Sequence, residues 1–299
     1  MRLLERIQYK IFQALNPLLF SSFYIKNFDS TYENNSDRSI SVAIPHYERG
    51  KKIHVTLKNI LKDKRIKEIV ILDDGSSQEE FQSLVDNLSR FSEKIKLFRR
   101  EENIGILRTK IQVVSLCTNE WVILLDSDNS IFSQYINAIF KLPNWNENTI
   151  YCPSFAYPNF DFRALSGEII DFQKFSNLNV QRFGAFMNDG NYFFNKINFL
   201  NALLPYRDFK VLAADVIFAN YVWLSQDNKL EVLHNAPYFH RVHPGSVWLN
   251  TMNGNIKHAE LVGDLLSKGI KADKDYLSKI FEVLPNAWVE PIPIPLHSA

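Results

Sequence analysis

Asp126-Ser127-Asp128 places two carboxylates one residue apart at the end of an apolar run, Trp121-Val-Ile-Leu-Leu125. Carboxylates that close repel each other unless a proton or a cation neutralises them. A divalent ion that favours hard oxygen ligands, Mn²⁺ or Mg²⁺, answers that need and keeps open positions for phosphate oxygens. The plainer reading has one Asp capping the next helix and the other solvated. A second acidic pair, Asp73-Asp74, closes another apolar run and leads into Gly75 and Ser76. A carboxylate there can accept a hydrogen bond from a base or a ribose, although an ordinary Asp-Gly turn uses the same residues. Pro45-His46-Tyr47-Glu48 adds an aromatic ring able to stack on a base.

The elements that must hold these groups can be read from the apolar pattern. Ser41-Val-Ala-Ile44, Glu68 to Asp73, Ile95 to Phe98 and Trp121 to Leu125 read as strands, the second buried on both faces. Ile53, Leu57, Ile60 and Leu61, then Phe81, Leu84, Val85 and Leu88, then Ile106 to Leu116 mark the intervening helices. Strand starts fall about 27 residues apart, the length of one βα unit, so the spacing predicts a mostly parallel central sheet with helices on both faces. In such a sheet ligands bind beyond the carboxyl ends of the strands, where all three motifs lie. Past residue 150 the alternation weakens. Asn188-Asp-Gly190 is a turn signal, Asp215 opens an apolar helix, and Lys229 to Leu233 and Tyr238 to Val242 read as short strands. Terminal helices follow, one through Ile256, Leu261, Leu265 and Leu266 and one through Tyr276, Ile280, Phe281 and Leu284. Pro291-Ile-Pro-Ile-Pro295 reads as a stiff, extended tail.

Composition sets the outer bounds. The 299 residues carry 34 Lys+Arg against 33 Asp+Glu, a formal charge of +1 that gives no reason to expect nucleic acid as a partner. Two cysteines, Cys117 and Cys152, exclude a disulfide framework and a multi-cysteine zinc module. No G-x-G-x-x-G follows a strand, and P-loop and zinc-protease signatures are absent. Leu4, Ile7, Ile11, Ala14, Leu15 and Leu18 recur at helical spacing with Arg2, Arg6 and Lys10 between them. That stripe either packs on the main domain or makes a peripheral membrane contact through residues 1–28. Without an export signal, the chain is expected in the cytoplasm, with the inner membrane face as the alternative. The expected division is 1–38, an amphipathic helix and polar linker; 39–250, the main domain; and 251–299, a helical segment with the Pro-rich tail.

Taken in order, Ser-Val-Ala-Ile-Pro-His-Tyr, Ile-Val-Ile-Leu-Asp-Asp-Gly-Ser, Asn103-Ile-Gly105 and Ile-Leu-Leu-Asp-Ser-Asp resemble a family 2 glycosyltransferase of GT-A fold, an α/β architecture with a Rossmann-like sheet. The resemblance implies a metal-dependent, inverting transfer from a UDP-sugar to a glycan or lipid-linked acceptor in cell-surface polysaccharide synthesis. It places Pro45, Tyr47 and Glu48 at the nucleotide, although most members have Asn at the position of Glu48. It gives Asp73 the uracil edge, Lys110 (with Arg108 as fallback) the donor phosphates or sugar, and Asp126 with Ser127 the donor as well. Asp128 becomes the direct metal ligand beside Asp126, with His243, or failing it His240, as a third. Asn129 stands where a further Asp is commoner. Asp215 matches the catalytic base, with Asp189 in the Gly184–Asn191 loop as the competitor and a helix N-cap as the structural alternative. Ala214 replaces the usual Glu before it. A catalytically weak nucleotide-sugar-binding scaffold of the same fold is the rival reading, whereas a sugar-nucleotide pyrophosphorylase would want a glycine-rich basic loop that residues 45–50 do not supply.

Overall fold

The computed structural model of the chain describes residues 38–91, 93–176, 186, 187, 190, 192–241 and 252–296. The expected helix within 1–28, the linker up to 37 and the turn at Asn188 and Asp189 lie outside those residues.

Four strands form the parallel centre: β1 (Ile40–His46), β2 (Ile66–Asp74), β3 (Ile95–Arg100) and β4 (Trp121–Leu124). Their order across the sheet is β3-β2-β1-β4, all parallel. The chain therefore steps outward from β1 to β3 and then returns to the other side of β1. That reversal opens a crevice at the carboxyl ends of β1 and β4, the place where open α/β sheets take ligands. β1 is buried along its whole length and β2 at all but one residue, so both faces of the sheet are covered. Between the strands run α1 (Ile53–Ile60), α2 (Gln78–Leu88) and α3 (Ile106–Ser115), as the apolar spacing predicts. Pro45 does not stop β1. It pairs with Leu72 of β2 at a point where β4, aligned only with Ser41 to Ala43, has already ended.

Beyond β4 the sheet becomes mixed. After β5 (Ser130–Ile131) and α4 (Ser133–Lys141) come β6 (Thr149–Cys152), β7 (Phe155–Tyr157), β8 (Phe160–Asp161), β9 (Ile169–Ile170) and β10 (Phe193–Asn195). Then follow α5 (Lys196–Leu203), α6 (Asp215–Ser225), β11 (Lys229–Val232), β12 (Pro237–Phe239) and α7 (Met252–Ser267). β10 enters antiparallel between β4 and β6, and β11 and β9 complete that edge, while β5, β12, β7 and β8 form a small second sheet. α6 is apolar around nearly its whole circumference, and Phe218, Tyr221, Val222, Trp223 and Leu224 are fully buried.

Two C-terminal expectations need correction. The helix through Tyr276 to Leu284 is a single turn, Lys274–Leu277. Beyond it the backbone is taken by a neighbouring strand-like segment: Lys210 N–H donates to Glu282 O at 2.9 Å and Leu284 N–H to Asp208 O at 2.8 Å. The Pro-rich tail is extended as expected, but it is also paired. β13 (Ile292–Ile294) lies antiparallel on β3 as an edge strand, where proline costs no ladder hydrogen bond on its open side. None of the helices among the described residues is long and apolar enough to cross a membrane.

Candidate active site

The loop after β1 is bound to the loop after β2. Glu48 has a left-handed backbone, φ +53°, a conformation that Asn adopts more readily than Glu. The strain is offset locally: Glu48 N–H donates to Ser76 Oγ at 2.8 Å, and its carboxylate accepts from the Ser77 N–H and, at 3.1 Å, the Ser77 hydroxyl. Glu48 thus fastens the loop to the start of α2 instead of facing the crevice, whereas its neighbour Tyr47 is 42% exposed. Gly50 permits the close approach, because a Cβ there would lie 2.0 Å from Glu80 O.

The acidic pair after β2 is consumed by the protein. Asp73 is wholly buried, its carboxylate held by His46 Nδ1 at 2.9 Å, the Ser76 hydroxyl at 2.5 Å and, more loosely, Arg99 Nε at 3.6 Å. Asp74 accepts from Thr109 Oγ1 at 2.7 Å and the Ile104 N–H at 3.1 Å, and pairs with Arg100 at 3.0 Å. Burial pushes the Asp74 carboxyl above its usual range, and Arg100 pulls it back. These bonds tie β2 to the Asn103–Gly105 loop and so fix where α3 begins.

The pair after β4 behaves otherwise. Neither Asp126 nor Asp128 caps α4, whose N-cap is Phe132. Lys110, projecting from α3, lies 3.2 Å from Asp126 and 2.9 Å from Asp215, so one buried ammonium joins the strand end to the start of α6. Burial alone would lower the Lys110 pKa, but the two carboxylates outweigh it and raise it. Burial raises the Asp215 pKa, Lys110 opposes that, and Asp126 adds to the rise. Asp215 is the first residue of its helix and not the cap, a position held by Ala214. Ser127 is buried with its hydroxyl unpartnered, and its carbonyl accepts from Thr56 Oγ1 at 2.8 Å.

Two arginines that sequence reasoning missed complete the cluster. Arg49, just after Glu48, pairs with Asp128 at 3.3 Å. Arg241, at the exit of β12, donates to Asp128 O at 2.6 Å, while its N–H donates to Asn129 Oδ1 at 3.0 Å. Asn129 therefore serves as an acceptor that clamps β12 to the acidic loop. The only available signal was position, a basic residue directly after a motif at a strand end.

Two fallbacks fall elsewhere. Arg108, two residues from Lys110 and so on another face of α3, bonds Asp208 at 2.9 Å and Pro285 O at 2.6 Å. It anchors the C-terminal segment. His240 has Nδ1 3.0 Å from Asn159 Nδ2 and its ring against Phe160 and Tyr238, turned toward the β7–β8 turn. Asp189 and His243 lie outside the described residues. The remaining donors suit a divalent cation of the Mg²⁺ or Mn²⁺ kind. Asp126 and Asp128 offer hard oxygen donors, and such ions are normally held by one or two carboxylates plus substrate phosphates. No group of three His, Cys, Asp or Glu able to hold a metal ion occurs among the described residues.

Solved structures share this architecture. The S. aureus TarS 1-349 complex with UDP-GlcNAc matches at a TM-score of 0.58 and 16% identity, over 81% of this chain and 70% of that one. GalNAc-T7 with UDP, GalNAc and Mn²⁺ matches at 0.51 and 15%, over 70% and 44%. The fold is thus the GT-A fold. Among curated proteins, polypeptide N-acetylgalactosaminyltransferase 5 of Caenorhabditis elegans is 24% identical over 126 residues, 41% of this chain and 20% of that protein. Glycosyltransferase GlyG of Streptococcus pneumoniae serotype 4 is 25% identical over 103 residues, 34% of each. Both matches span well under two thirds of the relative's own length. The Glycosyl transferase family 2 profile matches residues 41–203, more than half of the chain, and the chain belongs to that family.

Proposed function

We propose that the chain transfers a sugar, with inversion, from a UDP-sugar to a hydroxyl of a glycan or lipid-linked acceptor in cell-surface polysaccharide synthesis. The observation that carries this reading is the Lys110 bridge, which joins Asp126 at the strand end to Asp215 at the start of α6 in one buried cluster at the crevice. The TarS complex with UDP-GlcNAc and the GalNAc-T7 complex with UDP, GalNAc and Mn²⁺, which share the fold, favour a UDP-linked donor.

In this scheme Tyr47 stacks on the base, and Pro45 and the Asp73–Ser76 network shape the floor beneath it. Asp73 acts by bracing that floor, since its carboxylate has no exposed surface. Asp128 and Asp126 would hold a divalent cation, Mn²⁺ or Mg²⁺, which when bound neutralises charge on the leaving diphosphate. Lys110 supports the same charge from the protein side. Asp215 takes the proton from the acceptor hydroxyl as that oxygen attacks the anomeric carbon. Its burial makes it a stronger base than a solvated carboxylate, and Lys110 keeps it ionised until the proton arrives. One displacement at the anomeric carbon inverts its configuration. Two free, buried thiols, Cys117 and Cys152, suit a reducing compartment, and the setting proposed is the cytoplasm, with the inner membrane face as the alternative.

The test is UDP release from a panel of UDP-sugars by wild type and Asp215→Asn. Wild type is expected to turn over at least one donor, and the variant to lose about 10²–10⁴-fold in rate while still binding UDP. Equal rates in the two proteins would remove Asp215 from the mechanism.

A further inference from the structure

The charges at the crevice balance within the protein: Asp126, Asp128 and Asp215 face Lys110, Arg49 and Arg241. The three cations are held very differently. Lys110 is buried between two carboxylates, and Arg241 is fixed by the Asp128 carbonyl at 2.6 Å and by the Phe239 ring beneath its guanidinium. Among the described residues, the Arg49 guanidinium meets the Asp128 carboxylate alone. The contact, at 3.3 Å, is longer than the roughly 2.7–2.9 Å of a tight charge-assisted bond. Its fork of five N–H donors is therefore mostly unused, and it stands on the loop that carries the exposed Tyr47.

A divalent cation approaching Asp128 alone meets a carboxylate already neutralised and a guanidinium that repels it. A diphosphate reverses this, because it offers Arg49 a doubly charged, bidentate partner. We infer that Arg49 is a ligand of the donor's diphosphate that lets go of Asp128 when the nucleotide arrives, so that Asp128 takes up its cation only together with the nucleotide. Arg49 then occupies the carboxylate in the empty enzyme and the leaving group in the loaded one. This deepens the reading of the site as that of a UDP-sugar transferase and rests on it.

The experiment measures Mn²⁺ binding by electron paramagnetic resonance, with and without UDP, and UDP binding by calorimetry without metal. Wild type, Arg49→Gln and Arg49→Lys are compared. In wild type, UDP is expected to tighten Mn²⁺ binding at least about tenfold. Arg49→Gln should bind Mn²⁺ alone about tenfold more tightly than wild type and bind UDP alone about tenfold more weakly. Arg49→Lys keeps the charge and loses the fork, so its Mn²⁺ affinity should stay near wild type while its UDP affinity falls severalfold. Unchanged Mn²⁺ and UDP affinities in Arg49→Gln overturn the inference while leaving the site intact. If Arg49→Gln does not fold, unchanged UDP affinity in Arg49→Lys does the same. Wild type that binds neither UDP nor Mn²⁺ removes the transferase reading itself.

Discussion

Two acidic pairs stand at the ends of parallel strands in this molecule, and they have opposite fates. Asp73 and Asp74 are saturated by short bonds from hydroxyls, backbone N–H groups, a buried imidazole and a buried guanidinium. Asp126 and Asp128 are balanced by Lys110 and Arg49, cations on long stems, and Asp126 keeps part of its surface open. The same two-residue signal thus yields a brace in one place and a receptive charge cluster in the other. What separates them is the partner. Hydroxyls, backbone N–H groups and the buried Arg100 hold the first pair in place, whereas Arg49, with one contact at 3.3 Å, can pivot toward an incoming phosphate.

The sharpest way to break this contrast is to remove one carboxylate from each pair. Asp74→Ala strands Arg100, which is 4% exposed, and is expected to destabilise the fold by about 3–5 kcal/mol in denaturant unfolding. Asp128→Asn weakens a single 3.3 Å contact with Arg49 and should cost clearly less, about 1–2 kcal/mol. Equal losses would mean that both pairs are structural.

A third carboxylate, at the opposite end of β2, extends the comparison. Glu68 accepts from the Ser41 hydroxyl at 2.5 Å, the Thr118 N–H at 2.5 Å and Lys96 at 2.7 Å. Burial would raise its pKa, but Lys96, Ser41 and Thr118 together lower it to about 2. A lowered folded-state value means the stabilisation is complete above the unfolded value of 4.5 and is lost as pH falls toward 2. Glu68→Gln should therefore be about 2–3 kcal/mol less stable than wild type at pH 7, and the gap should close between pH 4.5 and 2. A gap independent of pH would mean that shape, not charge, sets the role of Glu68.

A smaller effect sharpens the description of the receptive cluster. Lys110→Met removes the charge that keeps Asp215 ionised, so the base is protonated at higher pH. The acid limb of the kcat/KM profile should move up by about 1–2 pH units. An unmoved limb would show that Lys110 does not tune the base.

The parallel half was legible because its strands are buried on both faces, so β2 reads as a continuous apolar run with its motif directly behind it. β5, β8 and β9 have two residues each, and pairing, not local pattern, makes them strands. The tail's stiffness could be read from its prolines, but its partner β3 lies almost two hundred residues away. Within the site, the resemblance singled out Lys110 and kept Arg108 as its fallback; only the contacts of Arg108 with Asp208 and Pro285 O, on another face of α3, separate the two. Arg49 and Arg241 were invisible for a physical reason: a lone arginine in a loop has no periodicity, and only tertiary contact shows which carboxylate it meets.

The central claim is that the Asp126–Asp128 turn, Lys110 and Asp215 form one receptor for a nucleotide diphosphate. A crystal structure of the chain with UDP and Mn²⁺ tests it most directly. The account predicts the base beside Tyr47 and the diphosphate between Asp128 and Lys110. Nucleotide bound elsewhere, with the Lys110 bridge and the Arg49–Asp128 pair undisturbed, would contradict it.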